Sequence, residues 1–199
     1  MKIIITGGLG FIGSNFILDC LQKNDVEILN YDAATYASDF TNLSSASKNK
    51  KYKFVKGNIC DREKLRLVIS DFKPDAIINF AAESHVDNSI TGPSAFIQTN
   101  VVGTQILLAE SLSYWKSLQS AKMDKFRFFH ISTDEVYGSL EPEAPAFTEL
   151  TRYDPSSPYS ASKAASDHIV NAYYRTFGLP ILLSNCSNNY GPRQHDEKF

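Results

Sequence analysis

Lys2-Ile3-Ile4-Ile5-Thr6-Gly7-Gly8-Leu9-Gly10-Phe11-Ile12-Gly13-Ser14 decides the fold. A β-branched apolar run goes straight into glycines and a helical pattern follows, the strand-turn-helix context that a dinucleotide fingerprint requires. Two spacings fit, Gly8-x-Gly10-x-x-Gly13 and Gly7-x-x-Gly10-x-x-Gly13. Either lets backbone N–H groups approach a pyrophosphate at the positive end of a helix. A glycine-rich turn without a ligand is the competing reading. It loses ground to Asp32, 19 residues past Gly13 at the end of the next strand-like run. A carboxylate there accepts both adenosine ribose hydroxyls and repels a 2′-phosphate, which favours NAD over NADP.

Outward from this stretch, apolar runs of strand length recur at 26–31, 52–55, 76–82, 126–132 and 181–185. Stretches of helical period lie at 14–23, 62–71, 93–118 and 158–177. Pro93 and Pro158 suit first-turn positions and Gly178 a C-terminal cap. This alternation predicts an α/β fold, a doubly wound parallel sheet of Rossmann type, as one NAD-binding domain over residues 1–199. Residues 141–157, rich in Pro and acidic side chains, predict an irregular surface loop near the site.

With 20 basic and 22 acidic residues and a net charge of −2, the chain offers no broad electrostatic case for nucleic acid or an anionic membrane. The local run Lys48, Lys50, Lys51 and Lys53 reads as a solvated approach to a strand, with Tyr52, Phe54 and Val55 as the apolar core behind it. Cys20, Cys60 and Cys186 lack Cys-x-x-Cys spacing, so neither a disulfide framework nor a zinc site is expected. His85, beside Asp87, has no second histidine at ligand spacing and is expected to hydrogen-bond rather than hold a metal. Glycines interrupt the apolar start well short of signal-peptide or membrane-span length, so a cytoplasmic protein is expected.

Two later motifs carry chemistry. Tyr159 and Lys163 are four apart at the start of a predicted helix and project from one face. An ammonium beside a phenol, aided by a positive nicotinamide ring, would lower the phenol's pKa and make Tyr159 a base for a substrate hydroxyl. An ordinary amphipathic pair is the bland alternative, outweighed by the upstream fingerprint. Ile131-Ser132-Thr133-Asp134-Glu135 ends the fifth strand on the ligand edge. There the Thr133 hydroxyl can bond the group being oxidised, and Asp134 and Glu135 can divide acid and base roles; a solvated acidic turn is the rival. Asn58 and Ile59, after the third strand, could flank an adenine. Ala81 and Ala82, after Phe80 and before Glu83 and Ser84, either leave room for the nicotinamide half or are simply core.

Through Ala81-Ala82-Glu83-Ser84-His85-Val86-Asp87, Thr133-Asp134-Glu135-Val136-Tyr137-Gly138, Tyr159-Ser160-Ala161-Ser162-Lys163 and Asn185-Cys186-Ser187-Asn188-Asn189-Tyr190-Gly191-Pro192, the chain resembles the extended short-chain dehydrogenase/reductase superfamily. Within it, it is similar to the dTDP-glucose 4,6-dehydratase family over its whole length. The resemblance implies NAD-dependent dehydration of a nucleotide diphosphate glucose. Tyr159 removes the C4 hydroxyl proton as hydride leaves C4, Glu135 takes the C5 proton, Asp134 protonates the departing C6 hydroxyl, and hydride returns to C6. It assigns Phe11, Ile12, Asp32, Ala33, Ala34, Thr35, Asn58, Ile59, Phe80, Ala81, Ala82, Glu83, Ser84, Thr99, Tyr159, Lys163 and Asn189 to the cofactor. Ser84, Thr133 and Asn188 go to the substrate. It also implies a homodimer through the helices of 93–118 and 158–177.

The chain departs from the family pattern at Asn58, where relatives carry Asp, and at Ala33-Ala34, where Lys-Leu is commoner. Arg193, His195, Asp196 and Phe199 alter the segment that approaches the substrate's phosphates and base, which leaves the nucleotide open. Relatives continue past Phe199 into most of the sugar-nucleotide lobe, so that lobe is expected to be largely missing here. Three rivals stay open: a cofactor-holding chain without turnover, a nucleotide-sugar 4-epimerase, and a UDP-glucuronate decarboxylase. The epimerase chemistry does not use Asp134-Glu135, and the decarboxylase needs a cation for a sugar carboxylate that the sequence does not place.

Overall fold

The computed structural model describes residues 1–23 and 25–194; His195, Asp196 and Phe199 lie outside the described residues. Six strands form one parallel sheet: β1 (Lys2–Thr6), β2 (Glu27–Asp32), β3 (Tyr52–Lys56), β4 (Ala76–Asn79), β5 (Arg127–Thr133) and β6 (Ile181–Cys186). Their spatial order is β3-β2-β1-β4-β5-β6, the doubly wound order whose direction reverses between β1 and β4. Alternation along the strands divides the core. Ile4, Leu29, Ile77 and Phe128 face one layer with Leu65, Leu107 and Val170, while Ile3, Ile5, Ile28 and Ile78 face the other with Ile17 and Leu43.

The first layer is built by α2 (Arg62–Phe72), α5 (Thr104–Lys116) and α7 (Pro158–Phe177), and the second by α1 (Phe11–Lys23) and a short 3-10 turn at Phe40–Leu43. Helix α7 starts on Pro158 with a Ser157/Ser160 capping box and ends at Gly178, whose φ of +73° is the left-handed cap the sequence suggests. No helix among the described residues is long and apolar enough to cross a membrane.

Two expectations are corrected. The strand expected at 76–82 ends at Asn79. Beyond it, Phe80 N–H still donates to Thr6 O (3.0 Å), but the glycine loop then presses on Ala81 so closely that a Cβ on Gly7 would lie 2.6 Å from Ala81 N. The helix expected at 93–118 runs without interruption over 93–116, but its middle is a π-helix (Ile97–Gly103) between α4 (Pro93–Phe96) and α5, after a separate α3 (Val86–Thr91) and before α6 (Ser120–Met123). The π-turn surrounds Asn100, buried, whose side chain accepts from Glu83 N–H (2.9 Å) and donates to Glu83 O (2.9 Å) and to Ser162 Oγ (2.9 Å). The extra residue of a π-turn turns that amide inward. His85 caps α3, its Nδ1 accepting from Asn88 N–H (3.4 Å), a hydrogen-bonding role as expected.

Candidate active site

One cavity of about 1000 Å³ opens along the carboxyl edge of the sheet, at the β1/β4 reversal. Gly7, Gly10, Phe11, Ile12 and Gly13 line one end with Asp32, Ala33, Thr35, Asn58 and Ile59, and Phe80, Ala81, Ala82, Glu83, Ser84 and Thr99 line the middle. Thr133, Glu135, Tyr159, Lys163, Asn188 and Asn189 line the rest. Two singled-out residues do not line it. Ala34 turns away at a φ of +54° with its N–H on Asp32 Oδ1 (2.8 Å). Asp134 is half-buried at the start of the 3-10 turn Asp134–Tyr137, where the cavity-lining Thr133 Oγ1 donates to it (3.4 Å).

The glycines divide their labour. Gly7 N–H bonds Tyr31 O (3.1 Å), Gly8 N–H bonds Asn30 Oδ1 (3.1 Å) and Leu9 N–H bonds Asp32 Oδ2 (2.9 Å), so these donors serve the fold. The first intrahelical bond is Ser14 N–H to Gly10 O (3.0 Å), which leaves the first-turn N–H groups of Phe11, Ile12 and Gly13 for an anion at a helix start. A Cβ on Gly10 would meet only Gly7 O at 3.5 Å. No protein atom requires glycine there, so the space fits a group that approaches the backbone from the cavity. Asp32 accepts from Leu9, Ala34 and the Ser38 hydroxyl (3.0 Å), which fixes its carboxylate at the cavity wall with acceptor capacity to spare. The donor set therefore suits a dinucleotide.

At the other end, β5 delivers Thr133 and α7 delivers Tyr159 and Lys163, all three buried. Thr133 Oγ1 caps the 3-10 turn by accepting from Glu135 N–H (3.2 Å). Lys163 Nζ donates to Ile131 O (2.7 Å), and burial pulls its pKa down to about 8. The Tyr159 phenol is pushed up, by burial first and then by the Glu135 charge, with the Thr133 hydroxyl opposing. The ammonium expected to lower it does not prevail, because desolvation penalises the phenolate more. Arg193, singled out in the sequence only as a departure from the family pattern, lines the cavity with Nη1 on Asn15 Oδ1 (2.8 Å) and Nε on Asn42 O (3.2 Å), so that sequence reasoning missed these partners. These contacts span far too much chain for any local signal. Among the described residues no group of three or more His, Cys, Asp or Glu side chains can hold a metal.

A Rossmann sheet with a glycine loop at one end of its cavity and a Tyr-x-x-x-Lys helix at the other defines a short-chain dehydrogenase/reductase. The family model for GDP-mannose 4,6 dehydratase matches residues 4–199, and the chain belongs to that family. It is 54% identical over 196 residues to the dTDP-glucose 4,6-dehydratase of Xanthomonas campestris pv. campestris (strain B100), covering 98% of this chain and 55% of that protein. The crystal structure of dTDP-glucose 4,6-dehydratase from Bacillus anthracis in complex with NAD superposes with a TM-score of 0.86 at 44% identity, covering 99% of this chain and 58% of that one. The UDP-glucose 4-epimerase of Thermotoga maritima is more distant, at 27% identity and a TM-score of 0.84 over 98% of this chain and 58% of that one. The chain thus spans little more than half the length of the relatives it matches.

Proposed function

We propose that residues 1–199 are the NAD-binding domain of an enzyme that dehydrates a nucleotide diphosphate glucose, dTDP-glucose, to the 4-keto-6-deoxy sugar. The observation that carries this reading is one cavity joining the Gly10 cradle to Thr133, Glu135, Tyr159 and Lys163. The names of the relatives and the NAD of the Bacillus anthracis structure support it. The Gly10 cradle, Asp32 and the Phe80 to Ser84 stretch would hold NAD, which would supply a reversible hydride acceptor between C4 and C6, so that the sum is a redox-neutral loss of water. Tyr159 removes the C4 hydroxyl proton while Thr133 orients that hydroxyl and Lys163 keeps positive charge beside the phenol. The C4 ketone acidifies the C5 proton, which Glu135 takes from inside the cavity and which C5 regains once hydride has returned to C6. Asp134, held beside the cavity by the Thr133 hydroxyl, protonates the departing C6 hydroxyl. Ser84 and Asn188 hold the sugar nucleotide, and Phe80 to Glu83, Thr99 and Asn189 hold the cofactor.

The same reading includes a homodimer and a cytoplasmic location. Ile97 and Val102 of the π-helix and Tyr174 and Phe177 of α7 expose apolar surface that a second copy would cover, and the free thiols of Cys20, Cys60 and Cys186 suit a reducing compartment. The test is to incubate the chain with NAD and dTDP-glucose and to weigh the sugar nucleotide. Loss of one water is the expected result. Unchanged mass with NAD bound would point to a fragment that holds the cofactor without turnover or to another nucleotide, a configurational change at C4 at unchanged mass would overturn the dehydratase reading in favour of epimerisation, and loss of carbon dioxide from UDP-glucuronate would favour the decarboxylase.

A further inference from the structure

Beneath the cavity floor lies a polar cluster that this chemistry does not use. Asp167 sits on α7 one turn after Lys163 and is fully buried. Its Oδ2 accepts three hydrogen bonds, from Ser132 Oγ on β5 (2.8 Å), Tyr153 Oη of the segment before α7 (3.0 Å) and Asn185 Nδ2 on β6 (3.1 Å). Its Oδ1 accepts none. His130 Nε2 is 3.5 Å from that oxygen, but its hydrogen is directed elsewhere. Thr6 donates to Asn79 Oδ1, which turns the Asn79 amide nitrogen toward His130 Nδ1 (3.1 Å). The His130 proton therefore sits on Nε2, 3.2 Å from Ser166 Oγ, which in turn donates to Lys163 O (2.8 Å).

A buried carboxylate with one saturated and one bare oxygen is poorly compensated. An asparagine would keep the saturated oxygen and replace only the bare one. What the amide lacks is negative charge. Among the described residues Lys163 is the one buried lysine or arginine, and its hydrogen bond goes to Ile131 O rather than to an acid.

We propose that Asp167 is a positioning residue whose buried charge keeps Lys163 protonated beneath Tyr159. The proposal rests on the reading of Tyr159 and Lys163 as the proton-handling pair. Burial strips charge from Lys163, and Asp167 is the foremost group opposing this, ahead of Cys186 of β6. The other titratable groups around the pair are His130 on β5, Tyr137 and Tyr153 before α7, and Tyr159 and Glu135 at the cavity. Burial holds the histidine neutral and the three tyrosines protonated, and Glu135 acts on the Tyr159 phenol.

Carbon-13 labelling of lysine Cε in the full chain, without cofactor, reports the Lys163 titration by NMR, with the resonance assigned by its loss in Lys163→Met. Asp167→Asn is expected to lower the midpoint by about one pH unit or more, and to move the alkaline limb of kcat downward while the KM for NAD stays level. A midpoint within a few tenths of the wild-type value overturns the proposal whatever the activity. If Asp167→Asn does not fold, Asp167→Ser removes the same charge with a smaller polar side chain. It is expected to lower the Lys163 midpoint by a similar amount, and an unchanged midpoint there also counts against the proposal. Failure of the underlying reading registers separately, as full turnover by Tyr159→Phe with the Lys163 response to Asp167 intact.

Discussion

Gly7→Ala and Gly10→Ala separate the needs of the fold from those of the ligand within one loop. Gly7 has a φ of +72°, and a Cβ there would sit 2.6 Å from Ala81 N and 2.7 Å from Ala81 Cα. The left-handed backbone alone costs an L-residue about 1–2 kcal/mol, and moving the backbone at the end of β4 adds about 1–3 kcal/mol, so a loss of about 3 kcal/mol is expected. Gly10 is not among the positive-φ glycines, and its Cβ would meet only Gly7 O at 3.5 Å. Alanine there narrows the unfolded ensemble, so stability is expected to hold or to rise by up to about 1 kcal/mol. The same Cβ would project into the cavity at the helix start that suits a pyrophosphate, and NAD affinity should fall at least about tenfold, or 1.4 kcal/mol. Urea unfolding followed on Trp115, the one tryptophan, gives the stabilities, and calorimetric titration gives the affinities. Gly10→Ala binding NAD as the wild type does would refute the cradle; Gly7→Ala with wild-type stability would refute the steric reasoning.

Glu135→Gln should still oxidise C4 but no longer exchange the C5 hydrogen, so that turnover in heavy water leaves C5 without deuterium; normal exchange would remove Glu135 as the base. Unfolded Lys163 holds its proton to about pH 10.5 whereas the folded residue releases it near 8. The unfolded state therefore binds more protons in that window, and stability should rise with pH across it by roughly 3 kcal/mol, a slope that Lys163→Met should flatten in pH-dependent urea melts. His130 has the same sign at lower pH, since burial holds it neutral; stability should fall as pH drops below about 6.5, less so in His130→Gln. Phe128→Ala, fully buried between the sheet and α7, should lose about 3–5 kcal/mol in the same melts.

Local signals carried far. The strand-glycine-helix stretch, Pro158, Gly178 and the two-residue alternation of Ile3, Ile4 and Ile5 are each written within a few neighbours, and all appear where the residue pattern placed them. The division among the glycines was not legible, because whether a Cβ fits depends on Ala81, Asn30 and Ile17, which come from other elements. The π-turn inside helix 93–118 was not legible for a related reason. The helix's apolar period runs on, but a buried Asn100 must reach Glu83 and Ser162, and only the packed neighbours show that the chain inserts a residue to satisfy it.

The pKa of Tyr159 and the part played by Asp167 were also beyond local reading. Charge and spacing argue that an ammonium four residues on lowers the phenol, yet the sign is set by how much water the site excludes. Residue order alone determined the sheet, the cofactor edge and which side chains carry reactive groups, because periodicity, glycine and proline act through the backbone near them. Only the tertiary structure decided which glycine faces the cavity, that Glu135 lines it while Asp134 is held on the Thr133 hydroxyl, and that a buried carboxylate lies one turn below Lys163. Exclusion, desolvation and long-range hydrogen bonds depend on what residues far apart in the chain bring to the same place.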